Sequence, residues 1–151
     1  AGTSSPLTDG ASAVLVTTEE YARAHGLPIL ARIKSVSVSG CAPETMGLGP
    51  ILSSQKALER AGIEAKDLSV VELNEAFASQ ALACMRDLGV DPAKTNIDGG
   101  AIAMGHPLGA TGARIVGKAA SLLKREGGQY ALATQCIGGG QGIATVLEAV
   151  D

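Results

Sequence analysis

Apolar positions along this chain recur with two periods, and the switches between them outline its elements. After the turn-forming Asp9-Gly10, the run Ala11-Ser12-Ala13-Val14-Leu15-Val16 reads as a buried strand or a short helix leading into one. Thr18 is placed to cap a short helix that runs to Gly26, with Pro28 beyond. Over 31–39, Ile33, Val36 and Val38 stand among polar residues, a strand pattern. Residues 40–50 form a loop, and Pro50 suits the first turn of a helix over 50–61 that ends near Gly62. A short apolar strand follows over 68–73. From 75 to 88, Phe77, Ala81, Cys84, Met85 and Leu88 repeat with the 3.6-residue period of one helical face, and Gly89 stops the pattern. Residues 95–102 read as a strand that dissolves into Gly99-Gly100. The glycine-rich stretch 105–112 leads into a helix whose apolar face is Ile115, Val116, Ala119, Leu122 and Leu123, stopped by Gly127-Gly128. Two strands, 130–137 and 143–150, close the chain through Gly138-Gly139-Gly140-Gln141-Gly142, with the spacing of a tight hairpin.

From residue 31 the order is strand, helix, strand, helix, strand, helix, strand, strand. Such alternation predicts an α/β fold, a mixed five-stranded sheet with helices on both faces. A change of unit falls near residue 28, separating 1–28 from 29–151. Sites in folds of this kind lie at the carboxyl ends of strands.

Composition narrows the core and the partners. Aromatics are only 2% of the residues while 20 are glycine, so the core is expected to be close-packed Ala, Val, Ile and Leu. A hydrophobic fraction of 46% against 18% charged excludes a disordered chain. The net charge of −3 is scattered and forms no phosphate-tracking stripe, which argues against nucleic acid. Cys41, Cys84 and Cys136 are odd in number and form no CxxC pair. That pattern argues against a disulfide framework and against a metal, and suits a reducing compartment. No apolar run approaches the ~20 residues of a transmembrane helix. The start, Ala1-Gly2-Thr3-Ser4-Ser5-Pro6, has no initiator Met and no signal-peptide pattern, so the chain is expected to begin mid-protein.

Three loops that follow predicted strands carry candidate chemistry. Asn74, in Asn74-Glu75-Ala76-Phe77, has the ordinary reading of a helix cap. His106, in Gly105-His106-Pro107, is structural or functional; the glycine permits close approach of a ligand to the backbone. Cys136 ends a strand and meets Gly138-Gly139-Gly140, whose N–H groups suit an anion. A thiol beside an imidazole makes a proton-transfer pair, if the fold brings the two together. By contrast, Gly112-Ala113-Arg114-Ile115-Val116-Gly117-Lys118-Ala119 only imitates a phosphate-binding P-loop. Ala119 stands where the Mg²⁺-binding hydroxyl is needed, and the stretch has helical periodicity.

Taken in order, Asn74-Glu75-Ala76-Phe77, the stretch from Gly99-Gly100-Ala101 through Gly105-His106-Pro107-Leu108-Gly109 to Arg114, and Cys136-Ile137-Gly138-Gly139-Gly140-Gln141-Gly142 resemble the three C-terminal signatures of the thiolases. Their separations, 32 residues from Asn74 to His106 and 30 from His106 to Cys136, fit as well. The opening Ala1-Gly2-Thr3-Ser4-Ser5, with Asp9-Gly10-Ala11, resembles the loop at the end of the family's N-terminal domain. The Thr3-Ser4-Ser5-Pro6 and Cys41…Met46-Gly47…Gly49-Pro50 stretches are most similar to 3-ketoacyl-CoA thiolases of β-oxidation, with acetoacetyl-CoA thiolases close by. Condensing ketoacyl synthases share the fold but are expected to carry a second His where Asn74 stands.

The resemblance implies a thiolase-like C-terminal domain over 29–151, preceded by the end of the N-terminal domain over 1–28. It implies acyl transfer between thiols, with acyl-CoA and CoA as partners and no cofactor, since CoA is a substrate. His106 is the implied base, Cys136 the acid and base at carbon and sulfur, and Asn74 and Gly138 the implied oxyanion supports. Ser5 matches a position that touches the CoA pantetheine arm. The family's nucleophilic Cys belongs to its N-terminal domain; neither Cys41 nor Cys84 sits in a matching motif, so the chain alone is expected to be inactive. A homo-oligomer, dimer or tetramer, is expected of the full-length enzyme, with other β-oxidation subunits as further partners, in the bacterial cytoplasm or alternatively the mitochondrial matrix or peroxisome. The competing readings are a non-catalytic CoA-binding or interaction module and a natural half-enzyme. The exposed edge expected of 11–16 invites self-association or partial disorder of residues 1–28.

Overall fold

In the computed structural model, which describes residues 1–150, one sheet organises the chain. Its strands are β1 (Arg32–Gly40), β2 (Leu68–Leu73), β3 (Tyr130–Ile137) and β4 (Gln141–Glu148), in the order β1-β4-β3-β2. β2 and β3 are parallel, while β4 is antiparallel to both its neighbours. The helices are α1 (Glu19–Ala24), α2 (Gly49–Ala61), α3 (Ala78–Leu88), α4 (Ala101–Met104) and α5 (Leu108–Glu126). Helices do cover both faces. Ala57, Leu58, Ala81, Cys84 and Leu88 of α2 and α3 pack on Val71, Leu73, Leu132, Ala144 and Val146. Ile115, Ala119, Leu122 and Leu123 of α5 pack on Val70, Ala131, Ala133 and Leu147 from the other side. These are the small aliphatic cores that the composition demanded.

Four strands form, not five, and Asn96 gives the reason. Residues 95–102 begin as expected, with Thr95 bridged in parallel to Val71. Asn96 then adopts φ 49°, the left-handed region, and its side chain replaces the next rung of the ladder. Its amide donates to Leu73 O at 2.8 Å and its carbonyl accepts from Leu73 N at 2.9 Å. The chain then turns away into α4.

The run 11–16 also stays outside the sheet. It lies along α5 instead, where Ser12 Oγ donates to Ala110 O at 2.6 Å and Val14 reaches Gly117, leaving Leu15 and Val16 exposed. Thr18 does cap α1, accepting from Tyr21 N.

In β1 the faces are the reverse of the apolar expectation, because Ser37 and Ser39 are buried and Val36 and Val38 exposed. α2 approaches so closely that only small side chains fit, and serines satisfy its carbonyls: Ser35 Oγ donates to Ala57 O and Ser39 Oγ to Gly49 O. The α2 terminus also meets the β3–β4 hairpin backbone to backbone. A Cβ on Gly142 would sit 2.1 Å from Gly49 atoms.

Candidate active site

β2 ends at Leu73, and Asn74 follows at the sheet's carboxyl edge. Its backbone N–H still donates to Thr134 O of β3, at 3.0 Å, so the strand pairing fixes its place. Asn74 does not cap the next helix. α3 starts only at Ala78, because Ala76 and Phe77 are engaged by the N-terminal segment: Ser5 N donates to Ala76 O and Ala78 N to Thr3 O. Phe77 is accordingly half exposed and not part of the apolar helical face.

The freed Asn74 amide reaches His106. Nδ2 lies 3.3 Å from the imidazole Nε2, and Asn74 is fully buried. On the far side of the ring, Nδ1 lies 2.6 Å from Thr111 Oγ1, in the first turn of α5. The Thr111 hydroxyl donates its single proton to Pro107 O at 3.1 Å, so toward the ring it offers a lone pair. Nδ1 is therefore the protonated nitrogen, and Nε2 carries the free lone pair that accepts from Asn74. Burial first, and the Arg114 charge second, lower the imidazole pKa from its ordinary value. The site thus holds a neutral, oriented base.

Gly105, already noted in the sequence, and further groups whose roles the sequence did not give build the His106 turn. Gly105, at φ 105°, permits a conformation closed to other residues, and a Cβ there would collide with Thr8. Thr8 Oγ1 accepts the His106 N–H at 3.2 Å while donating to Pro6 O at 2.8 Å. Glu75 accepts from Asn96 Nδ2 at 2.9 Å and from the Ile102 N–H at 3.1 Å, tying the Asn74 loop to α4. Hydroxyls and carboxylates of this kind carry no motif of their own; only their contacts reveal them.

Cys136 lies two residues beyond Thr134 on β3, at the same sheet edge as Asn74. Alternation gives it the face of Thr134, whose hydroxyl meets Ser54 of α2. No hydrogen bond joins Cys136 to His106 among the described residues; Asn74 bonds His106 through its side chain and Thr134, two residues before Cys136, through its backbone. Burial pushes the Cys136 thiol up, which keeps its proton on. Gly138 opens the hairpin, exposed and with nothing within 4 Å of its Cβ position, whereas Gly139 and Gly140 take φ 85° and 88°. Ser5 is half-buried against Ala76, beside the Asn74 loop.

The other two thiols are differently placed. Cys84 is sealed in the core, its thiol pushed up to about 11 by burial, and bonds Gly47 O. Cys41 packs over the short 3-10 turn Pro43–Leu48. No group of three or more His, Cys, Asp and Glu side chains among the described residues converges as a metal's ligands would. Likewise no helix there is long and apolar enough to cross a membrane. The imitation P-loop lies inside α5.

A helix-covered mixed sheet that presents Asn, His and Cys at one edge is the architecture of a thiolase C-terminal domain, and the family model for "Thiolase, C-terminal domain" matches residues 27–149. The chain belongs to the thiolase family. It is 58% identical, over 99% of its length and 40% of the relative's, to a 3-ketoacyl-CoA thiolase of a Shewanella species. It is 56% identical to the 3-ketoacyl-CoA thiolase of Vibrio parahaemolyticus, over 98% of this chain and 39% of the relative. Among solved structures, human mitochondrial 3-ketoacyl-CoA thiolase in complex with CoA superposes with a TM-score of 0.85 at 49% identity, covering 88% of this chain and 34% of that one. The chain spans about 40% of the length of these curated relatives.

Proposed function

We propose that this chain provides the acid–base and oxyanion side of a 3-ketoacyl-CoA thiolase, which cleaves a 3-ketoacyl-CoA with CoA into acetyl-CoA and a shortened acyl-CoA. The observation that carries the reading is the Asn74–His106–Thr111 chain of contacts, which leaves Nε2 as an oriented, neutral base. His106 takes the proton from a nucleophilic thiol that neither Cys41 nor Cys84 supplies. The resulting thiolate attacks the 3-keto carbon, and the imidazolium N–H, with a water held by Asn74, stabilises the alkoxide. Collapse breaks the carbon–carbon bond and forms the thioester. The electron pair leaves as an enolate, which Cys136 protonates at carbon. The Cys136 thiolate then takes the proton of an incoming CoA thiol, which attacks the thioester carbonyl, while the Gly138 N–H holds its oxygen; collapse expels the nucleophilic thiolate, which recovers its proton from the His106 imidazolium, and releases the shortened acyl-CoA. Removing one such oxyanion donor costs about 3–4 kcal/mol in other acyl-transfer enzymes.

Residues 1–28 are assigned to the end of the N-terminal thiolase domain, supported by a family match that begins at residue 27. Ser5 is assigned to the pantetheine arm, supported by its seat beside Ala76. CoA and acyl-CoA are the partners, CoA acting as substrate and not as resident cofactor, within a homo-oligomeric enzyme of the cytoplasm. The CoA-bound neighbour supports the assignment of CoA, and the bacterial relatives the class of enzyme.

The test mixes the chain with the N-terminal part of a 3-ketoacyl-CoA thiolase and assays thiolysis. Activity is expected in the mixture only, and lost with His106→Ala or Cys136→Ala. Cleavage of acetoacetyl-CoA by the chain alone would overturn the division of labour.

A further inference from the structure

Two rungs cross the space between β2 and α5. The upper rung is Asn74, His106 and Thr111. The lower rung lies two residues back along the strand and three residues on along the helix: Glu72 and Arg114, with 3.8 Å between the Glu72 carboxylate and Arg114 Nη1. The spacings put each pair on the same side of its element, one below the other.

The lower rung is an unusual ion pair. Glu72 is 1% exposed, yet neither of its carboxylate oxygens finds a hydrogen-bond partner among the described residues, and the same holds for Arg114 Nε. Its 3.8 Å contact is too long for the hydrogen bond that makes buried pairs strong. Structural pairing alone gives a poor account of such an arrangement, because burying both charges costs more than so loose a contact returns. Arg114 Nη1 also reaches Met104 Sδ, at 3.6 Å, two residues before His106. The guanidinium is thereby held between β2 and the end of α4.

We propose that Arg114 is a positioning residue for His106: its loosely paired charge, one helical turn below Thr111 and in contact with Met104, favours the neutral, proton-accepting form of the ring, and Glu72 sets how much of that charge the ring feels. This deepens the acid–base assignment of His106 and rests on it. The Arg114 charge is indeed the one electrostatic cause of the lowered His106 pKa, after burial. The other charges around the pair are committed elsewhere. Asp98, before α4, is held by Lys118 and Arg125, and Glu75 accepts from Asn96 and the Ile102 N–H. Burial raises Glu72 to about 7, so its carboxylate is only partly charged near neutrality. As pH falls through that range, Glu72 gains its proton and Arg114 acts on His106 with less compensation.

The chain contains only two histidines, so their proton NMR titrations separate cleanly. His25, at the end of α1 and stacked on Tyr21, serves as the internal reference. Arg114→Gln is expected to move the His106 midpoint up by about half a pH unit, as removing a nearby like charge does. Arg114→Lys, which keeps the charge, should restore most of the difference. Glu72→Gln, near-isosteric, should move it down. Dispersed amide spectra and an unmoved His25 verify the fold of each variant. An unchanged His106 midpoint in a folded Arg114→Gln, or an upward move in Glu72→Gln, would overturn the proposal. If Arg114→Gln does not fold, Arg114→Lys with its midpoint near the wild type and Glu72→Gln with its midpoint lowered decide it. None of these readings needs thiolysis, so they stand or fall apart from the acyl-transfer reading.

Discussion

Thr111 Oγ1 lies 2.6 Å from His106 Nδ1 and spends its own proton on Pro107 O, so one hydroxyl decides which nitrogen of the catalytic candidate is free. Thr111→Val keeps the shape and removes the acceptor. Nitrogen-15 NMR should then find His106 with a substantial population protonated at Nε2 instead. In the reconstituted mixture, thiolysis is expected to fall about 10- to 100-fold, less than the roughly 100- to 10,000-fold of a lost general base, because the imidazole stays and only its tautomer is disturbed. A single unchanged tautomer would refute the role given to Thr111.

Glu72 makes the chain's stability depend on pH in a defined direction. Its carboxyl is raised from 4.5 to about 7 by burial, so between those values the folded chain holds a proton that the unfolded chain has released. The stabilisation is complete below about 4.5 and is lost as pH rises through about 7. At about 1.4 kcal/mol per pH unit, the loss is on the order of 3 kcal/mol. Asp98, Glu19 and Glu148 are held below the usual carboxylate range and titrate under this window. Urea midpoints should fall from pH 5 to pH 8 in the wild type; in Glu72→Gln that fall should vanish, leaving the opposite trend of His106, whose lowered pKa favours the folded chain as pH rises.

Asn96 is expected to be costly to replace despite lying outside every strand. Asn96→Ala removes two hydrogen bonds to Leu73 and one to Glu75 at a part-buried position. A loss of about 2–3 kcal/mol is expected from orphaning those groups, measured by denaturant unfolding. Asn96→Asp should be worse than Ala at neutral pH, because it sets a second carboxylate against Glu75.

Glycines of the hairpin should divide sharply. Gly142→Ala places a methyl 2.1 Å from the Gly49 backbone, which cannot step aside as a flexible side chain can. It should destabilise by more than about 3 kcal/mol. Gly138→Ala meets nothing within 4 Å and should fold as the wild type does, within about 1 kcal/mol in thermal unfolding.

Elements with one dominant signal were legible in the sequence. α2, α5, β2 and β3 follow from apolar periods bounded by Pro50, Gly62, Gly127 and Gly138. The strand expected over 95–102 was not, because Asn96 uses a side chain where a backbone was anticipated. The serine face of β1 was equally hidden: hydropathy places valine inside, and only the closeness of α2 reverses that. For the site, Asn74, His106 and Cys136 were readable as strand-end residues with motif spacing. Thr8, Thr111, Glu75, Glu72 and Arg114 were not, since a threonine that aims a ring and one that caps a turn look alike until their partners are known.

The order β1-β4-β3-β2 has a consequence for how the chain is made. β1 has one neighbour in the sheet, β4, and Lys34 meets Glu148 across 114 residues of sequence. During synthesis β1 emerges before α2, β2, α3, α5 and β3, and its partner only after all of them. Contacts so distant along the chain close slowly, after most of the loop entropy has been spent. β4 therefore works as a clasp: until it emerges, β1 is unpaired, β3 lacks one neighbour, and the edge that presents Asn74 and Cys136 has only its β2–β3 half.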